Sequence, residues 1–219
     1  MTRTITVKGV GSVSVKPDQV VLTLSLEAKD LDYNKAMAIG SEQIGQLAQA
    51  IMEIGFEKES MKTTSFNVTT SYERVKTKSD NYKNVFDGYV VAHSLKLEFD
   101  FKTQRLAEVL SAIGACPARP EINIAFTVKN PSEVHELVLR DAATNAQKKA
   151  EVLSDASGVR IGQLLSVDYN WNVIDVFSHT RYKDNVFARF DIASPSFDAY
   201  ISPEDIDVND IATFVWEIQ

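Results

Sequence analysis

The clearest hydrophobic pattern in the chain lies in residues 87–101, DGYVVAHSLKLEFDF. From Tyr89 to residue 101, every second residue is apolar or aromatic apart from one histidine. This is the periodicity of a β-strand with one buried face. The other parity starts apolar and becomes charged, which favours an antiparallel sheet with a single fully covered face. We therefore predict that Tyr89, Leu95, Leu97 and Phe99 belong to the core. Ser94 and Lys96 are expected to face solvent or a neighbouring subunit.

The N-terminal region predicts two more strands. Apolar residues alternate from Ile5 to Val15 and again from Val20 to Leu26, with Lys16-Pro17-Asp18 between them, so we expect antiparallel partners joined by a tight turn. Gly9 and Gly11 invite comparison with a phosphate-binding loop, but such a loop leads from a strand into a helix, and here more strand follows. A bulge or a close backbone contact is the simpler interpretation.

Three segments show helical periodicity. The first has Asp32 as N-cap and ends at Gly55, and a shorter one covers residues 106–113 before Gly114. The third and longest is expected to use Asn130 as N-cap and to end at Gly158, because Pro131 suits the first helical position. Its stripe of alanines predicts close packing on another helix or on the sheet. Asp141, Glu151 and Asp155 are expected on its charged solvent face.

The order of elements predicts the fold class. Residues 19–129 run β-α-β-β-α-β, with a polar hairpin loop at 77–84, which is the ferredoxin-like order of an antiparallel sheet covered by two helices. The whole chain is thus predicted to be α+β, with the long third helix and flanking N- and C-terminal strands added to this unit. We expect residues 1–129 and 130–219 to be two parts of one domain.

The least regular region, residues 171–200, is rich in aromatic side chains. It is too apolar for a disordered linker, so it should either form its own core or contact another subunit. Its candidate interface residues are Trp171, Phe177, Tyr182, Phe187, Phe190, Phe197 and Tyr200.

Composition limits the partners of the chain. A net charge of -7 disfavours general affinity for nucleic acid or anionic lipid. The single Cys116 excludes an internal disulfide, and no apolar run is long enough for a membrane span. The N-terminus enters a strand pattern at once and shows no signal peptide. We expect a cytoplasmic protein if Met1 is native, and a periplasmic or extracellular one if a leader has been removed.

Several short stretches, taken in order, carry a family resemblance: ITVKGVG at residues 5–11, VKPD at 15–18, residues 63–72, Gly88-Tyr89, Gly114-Ala115, residues 142–150, Gly158 and residues 203–208. They resemble the SIMPL-domain family, and the match covers nearly the whole chain. That family includes bacterial envelope proteins described as oxidative-stress defence proteins and as immunogenic periplasmic proteins. The resemblance implies an α+β fold, ring-like homo-oligomerisation in some members, and no established catalytic residues.

Candidate chemistry is sparse. His93, His135 and His179 lack the short spacings of metal or nucleophile motifs, and His93 is expected to be a hydrogen-bonded core residue. Cys116 follows a helix end rather than a helix start, which favours a structural over a redox-sensing thiol. The basic residues of the hairpin loop, Arg74, Lys76, Lys78 and Lys83, interleave with tyrosines but are expected to be solvated.

These observations predict a non-enzymatic, self-assembling protein with an interaction or stress-protective role. No cofactor, metal or nucleic-acid partner is expected, and the partner is a further copy of the chain. A small-molecule binding module, with a pocket between the sheet and the aromatic segment, is the alternative. An enzyme is the least favoured of the three classes, because no catalytic constellation is visible in the sequence.

Overall fold

The computed structural model describes residues 3–76, 81–169, 175–184 and 201–219, and these form an α+β fold with two antiparallel sheets and three α-helices. In chain order the elements are β1 (Thr4–Val15), β2 (Gln19–Asp30), α1 (Tyr33–Glu53), a 3-10 turn (Lys58–Ser60), β3 (Met61–Lys76), β4 (Tyr82–Asp100), α2 (Thr103–Ala115), β5 (Glu121–Thr127), α3 (Pro131–Ala156), β6 (Ile161–Tyr169), β7 (Phe177–Asp184) and β8 (Ile206–Ile218).

The chain forms two compact units. The first combines Met1–Asp18, Thr127–His179 and Pro203–Gln219, and the second combines Gln19–Phe126 and Thr180–Ser202. The three-stranded sheet has the order β1-β8-β6, and the five-stranded sheet has the order β3-β4-β2-β5-β7. The second sheet therefore has one strand more than the four predicted, because β7 extends it beyond β5.

The core of the second unit lies between its sheet and the helices α1 and α2. The inward parity of β2, β4 and β5 meets the apolar stripes of both helices, and the largest fully buried side chains include Leu22, Leu24, Leu47, Leu97 and Phe126. Burying such side chains contributes about 1.5 to 3 kcal/mol each. The helix limits agree with the sequence prediction: Asp32 caps α1 by accepting a hydrogen bond from the Lys35 N–H at 3.0 Å, and Gly55 supplies the positive φ beyond its end.

Strand β4 is the central feature of this sheet, as its pattern predicted. It pairs with β2 on one side and with β3 on the other, both antiparallel. Leu95, Leu97 and Phe99 are buried, which confirms the predicted core face, whereas Tyr89 is half-buried. The predicted hairpin loop at 77–84 is shorter than expected, because β3 continues to Lys76 and β4 begins at Tyr82.

The first unit corrects one sequence prediction. The strands β1 and β2 do not pair across a tight turn; β1 pairs antiparallel with β8 at the far end of the chain, from Thr4 opposite Glu217 to Val15 opposite Ile206. The alternating pattern predicted both strands correctly, but alternation does not reveal which strand is the partner. Beta8 offers β1 a partner along its full length, with apolar residues on the matching parity.

The helix α3 covers the sheet of the first unit at very short range. A Cβ atom added at Gly9 would lie 2.0 Å from the Ala142 carbonyl oxygen, and one added at Gly11 would lie 2.0 Å from the Val138 carbonyl oxygen. The alanine stripe of α3, Ala142, Ala146 and Ala150, is fully buried. The sequence interpretation of Gly9 and Gly11 as sites of close backbone contact is therefore confirmed, as is close packing by the alanines. Among the described residues, no helix combines the length and apolar character needed to cross a membrane.

Candidate interaction surfaces

Most of the predicted aromatic interface lies outside the described residues: Trp171, Phe187, Phe190, Phe197 and Tyr200 fall there. Phe177 and Tyr182 lie in β7, and the Phe177 side chain is exposed. The predicted interface, and the pocket expected between it and the sheet, therefore stay predictions.

A second candidate surface is the open edge of β3. This strand is the edge of the five-stranded sheet, it is 16 residues long, and none of its residues is buried. Residues 65–71, SFNVTTS, lie between two irregularities in the pairing with β4 and contain no charge, proline or glycine. Natural edge strands usually carry charged residues or proline, which prevent pairing with another chain. This stretch of β3 therefore presents unprotected backbone N–H and C=O groups to a partner strand.

Aromatic side chains lie on the same hairpin. The rings of Tyr33, Tyr89, Phe86 and Tyr72 form a continuous series of edge-to-face contacts, with centroids 5.5, 5.3 and 6.0 Å apart in that order. Tyr33 is 47% exposed, Phe86 40% and Tyr72 58%. We call these four residues, together with Phe66 at 50% exposure, the hairpin aromatic surface. Exposed apolar surface of this kind is typical of protein contact sites.

Phe66 and Tyr72 are exposed although both lie on the alternating apolar positions of β3. Phe66 lies opposite His93 and Tyr72 opposite Phe86, on the same face of the hairpin. However, α1 packs on β2 and β4, and it leaves the edge strand β3 without buried residues. Parity alone cannot show how far a covering helix extends.

His93 lies beside the β3 edge and is half-buried rather than fully buried. Its Nε2 shares a hydrogen bond with the Thr63 hydroxyl at 2.9 Å, and its ring contacts Phe66 with centroids 5.3 Å apart. The Nδ1 atom is buried and has no hydrogen-bond partner among the described residues. Burial lowers the pKa of His93 below its ordinary value, because the charged ring would lose solvation. The His93 ring thus packs against Phe66 while Thr63 holds its Nε2.

A cluster of polar side chains lies at the irregularity between Ser71 and Tyr72 in the pairing of β3 with β4. Lys29 forms a salt bridge with Asp87, and the Ser71 hydroxyl donates to Asp87 at 3.3 Å. The hydrogen bond from Lys29 lowers the pKa of the Asp87 carboxyl. Gly88 follows with φ of +121°, and a Cβ there would lie 2.7 Å from the Asp30 carbonyl oxygen. The backbone conformation and the close contact therefore require glycine at position 88. The next residue, Tyr89, contacts Tyr33.

The edge strand β1 contrasts with β3, because side chains of α3 occupy its open backbone groups. The Ser12 N–H donates to Asp141 at 2.9 Å, the Val10 N–H donates to Asn145 at 3.1 Å, and the Lys149 ammonium donates to the Lys8 carbonyl oxygen at 3.2 Å. Four helical residues rise about 6 Å and two strand residues about 6.6 Å, so each turn of the helix meets the next open strand residue. We call Asp141, Asn145 and Lys149 the α3 ladder.

The α3 ladder corrects the interpretation of Asp141 as part of a purely solvent-facing surface. Asp141 is exposed, but its carboxylate accepts a backbone hydrogen bond from β1. Sequence reasoning missed this role, although a signal was present: the polar positions 141, 145 and 149 are spaced by four, directly before the buried positions 142, 146 and 150. Such spacing places both sets on adjoining faces of one helix.

The described residues contain little else that suggests chemistry. Within them, no three metal-ligating side chains lie close enough to share an ion. Cys116 is only 3% exposed and packs in the core of the second unit. His135 is half-buried on α3, and His179 is exposed on β7.

Comparison with known proteins gives a family and two relatives. The family model described as SIMPL, protein of unknown function (DUF541), matches residues 5–216. The chain is 24% identical over 163 residues to the 26 kDa periplasmic immunogenic protein of Brucella melitensis biotype 1, and equally to the protein of that name from Brucella abortus strain S19. Each alignment covers 74% of this chain and 65% of the relative, so the chain spans slightly less than two thirds of these relatives.

Proposed function

The chain belongs to the SIMPL family, and we propose that it is a non-enzymatic binding and assembly protein that associates with further copies of itself. The observation that carries this proposal is the unprotected edge of β3 at residues 65–71 beside the hairpin aromatic surface. A second β3 strand placed along this edge would form main-chain hydrogen bonds with it. The same contact would cover Phe66 and Tyr72, which are half exposed in the single chain.

The contrast between the two edges supports the choice of β3. The α3 ladder binds open backbone groups of Lys8, Val10 and Ser12 in β1, whereas β3 pairs only with β4 among the described residues. We further infer that the elements from β2 to β5 form the ferredoxin-like unit that the sequence predicts within residues 19–129. The strand order β3-β4-β2-β5, with β4 antiparallel to both neighbours, supports this description. In that arrangement β3 is an edge by topology, so it is available for assembly.

The proposed setting is the periplasm, and the proposed role is protective interaction in the cell envelope. The two relatives support the location, since both are named as periplasmic proteins. A protective role that depends on the reactivity of Cys116 is disfavoured, because oxidants reach a thiol of 3% exposure only when the core opens. Protection would instead come from binding other proteins through the exposed hairpin.

The mass of the protein in solution tests this proposal. We expect light scattering coupled to size exclusion to show an oligomer at micromolar concentration. Thr70→Lys places a charge on the exposed edge segment and should shift the protein towards monomer, because lysine on an edge strand opposes pairing. Phe66→Ser should do the same by removing apolar contact area.

Asn123→Lys is the matched control for this experiment. Asn123 is exposed like Thr70, but it lies in β5, an inner strand of the same sheet. The Asn123→Lys substitution adds the same charge away from the β3 edge, so the oligomer should persist. A monomeric wild-type protein, or an oligomer that Thr70→Lys and Asn123→Lys leave equally intact, would count against assembly through β3.

A further inference from the structure

The α3 ladder stops before the end of the β1 edge. Its members contact Ser12, Val10 and Lys8 in turn, so the next residue on the open side of β1 is Thr6, and the next helix position is 153. Position 153 is a leucine, which has no group that can bond to a backbone N–H or C=O. The alternation of antiparallel pairing directs the backbone of Thr6 away from β8, as it does for Lys8 and Val10. Beta1 therefore has an open backbone position at Thr6 that no member of the α3 ladder occupies.

A groove lies at this position. It has a volume of about 500 Å³, and β1 and α3 form its two walls. The β1 wall contains Thr6, and the α3 wall contains Lys148, Lys149, Val152 and Leu153. Val152 is 67% exposed and Leu153 is 49% exposed. We call this feature the Thr6 groove.

The Thr6 groove is cationic although the chain as a whole carries a charge of -7. Among the residues that the structure describes, neither Lys148 nor Lys149 forms a salt bridge with a carboxylate. By contrast, the neighbouring Glu151 accepts a hydrogen bond from Gln147 at 3.1 Å. Two ammonium groups without a carboxylate partner among the described residues, beside exposed aliphatic side chains, complement a ligand that is both acidic and apolar.

We propose that the Thr6 groove binds an acidic peptide segment in extended conformation. The segment adds as a short strand to β1 and exchanges backbone hydrogen bonds with Thr6. Alternate apolar side chains lie against Val152 and Leu153, and carboxylates lie against Lys148 and Lys149. Strand addition of this kind combines main-chain hydrogen bonds for affinity with side-chain pockets for specificity. The open backbone at Thr6 favours a peptide over a lipid, because a lipid offers no matching series of N–H and C=O groups.

The test uses the full chain and a fluorescein-labelled hexapeptide of alternating valine and glutamate, with fluorescence anisotropy as the readout. We expect saturable binding that weakens as salt is raised, because exposed charges are screened. A hexapeptide of alternating valine and lysine should not bind. The valine-glutamate peptide with N-methylated backbone amides should bind at least about tenfold more weakly, because it lacks the N–H donors of an added strand.

Variants of the groove separate the charge contribution from the backbone contribution. Lys148→Glu should weaken binding about tenfold, whereas Lys62→Glu, at an exposed position in β3, should leave it unchanged. Thr6→Pro removes only an outward N–H, which an edge strand tolerates, and should abolish binding. Thr6→Val keeps that N–H and should retain peptide binding. If Thr6→Pro fails to fold, the N-methylated peptide still tests backbone pairing on the wild-type chain.

Three results would overturn the proposal. They are no anisotropy change with the acidic peptide, equal binding of the valine-lysine peptide, and binding that survives both N-methylation and Lys148→Glu. Binding of phosphatidylglycerol vesicles without binding of the acidic peptide would also overturn it and would assign the groove to anionic lipid. The outcome is independent of assembly through β3, because Thr70→Lys should leave peptide binding unchanged.

Discussion

At the scale of single residues, Gly11 shows most directly how sequence and packing are linked. Its Cα faces the backbone of α3, and there is no space for a side chain between them. The sequence predicted a bulge or a close backbone contact at the Gly-Val-Gly step. The helix that makes this contact is more than 120 residues away in the chain. Nothing in the local pattern of β1 identifies that helix.

Gly11→Ala should destabilise the first unit by about 3 kcal/mol, because the added Cβ must displace the Val138 carbonyl group and with it the helix. Chemical denaturation measures the change in the free energy of unfolding. Gly45→Ala is the control, since Gly45 lies within α1 with no atom inside 4 Å of the added Cβ. That substitution should stabilise the chain by about 0.5 to 1 kcal/mol. Equal effects at both sites would contradict the close contact.

His93 predicts a pH dependence of stability. Because burial lowers its pKa below the ordinary 6.5 in the folded chain, the unfolded chain binds the proton more tightly. The free energy of unfolding should therefore fall as the pH is lowered through 6.5 towards the pKa of the folded state. His93→Gln keeps a polar side chain and removes this titration. Unfolding curves between pH 8 and pH 5 that show the same slope for both proteins would contradict the assignment.

At the scale of elements, the two edge strands differ in a way that decides where the protein can pair. Beta1 and β3 both have an open side, and both contain alternating patterns typical of strands. Side chains of α3 bind open backbone groups of β1, whereas residues 65–71 of β3 have no charge and no proline, and no comparable ladder covers them among the described residues. An edge strand is thus protected or available according to its neighbours in space.

Asn145→Leu tests this difference between the edges of β1 and β3. It keeps the size of the side chain but removes the acceptor for the Val10 N–H, which should cost about 1 kcal/mol of stability. It should also increase self-association, because the β1 edge becomes accessible to a second strand. Unfolding and light scattering measure the two effects. Gln147→Leu makes the same change at an exposed helix position that does not contact β1, and increased association there as well would argue for a general effect of surface leucine.

At the scale of the whole molecule, the sequence predicted the types and limits of most elements. The helix starting after Asp32, the alternating β4 and the alanine stripe of α3 are all present where the patterns place them. Long elements with strong periodicity are predictable, because each residue repeats the same information about the buried face. The expected pairing of β1 with β2 was wrong, because strand partners depend on contacts between distant parts of the chain.

The candidate binding surfaces were much less predictable than the elements. The sequence predicted an interface among the aromatic residues of 171–200, most of which lie outside the described residues, and its pattern did not indicate the exposure of Phe66 and Tyr72. Their exposure depends on where α1 ends and on β3 being an edge. The Thr6 groove depends on the register between a helix and a strand, which no single segment encodes.

The sequence by itself therefore determined the α+β class, the helices, the strands and the family resemblance, because periodicity and turn residues act locally. Only the tertiary structure decided which strands pair, which edge remains open and which lysines lie beside an open backbone position. Those features arise when segments far apart in the chain come within a few ångströms of each other. A groove between β1 and α3 joins residues 6 and 153, and their proximity is a property of the packed unit.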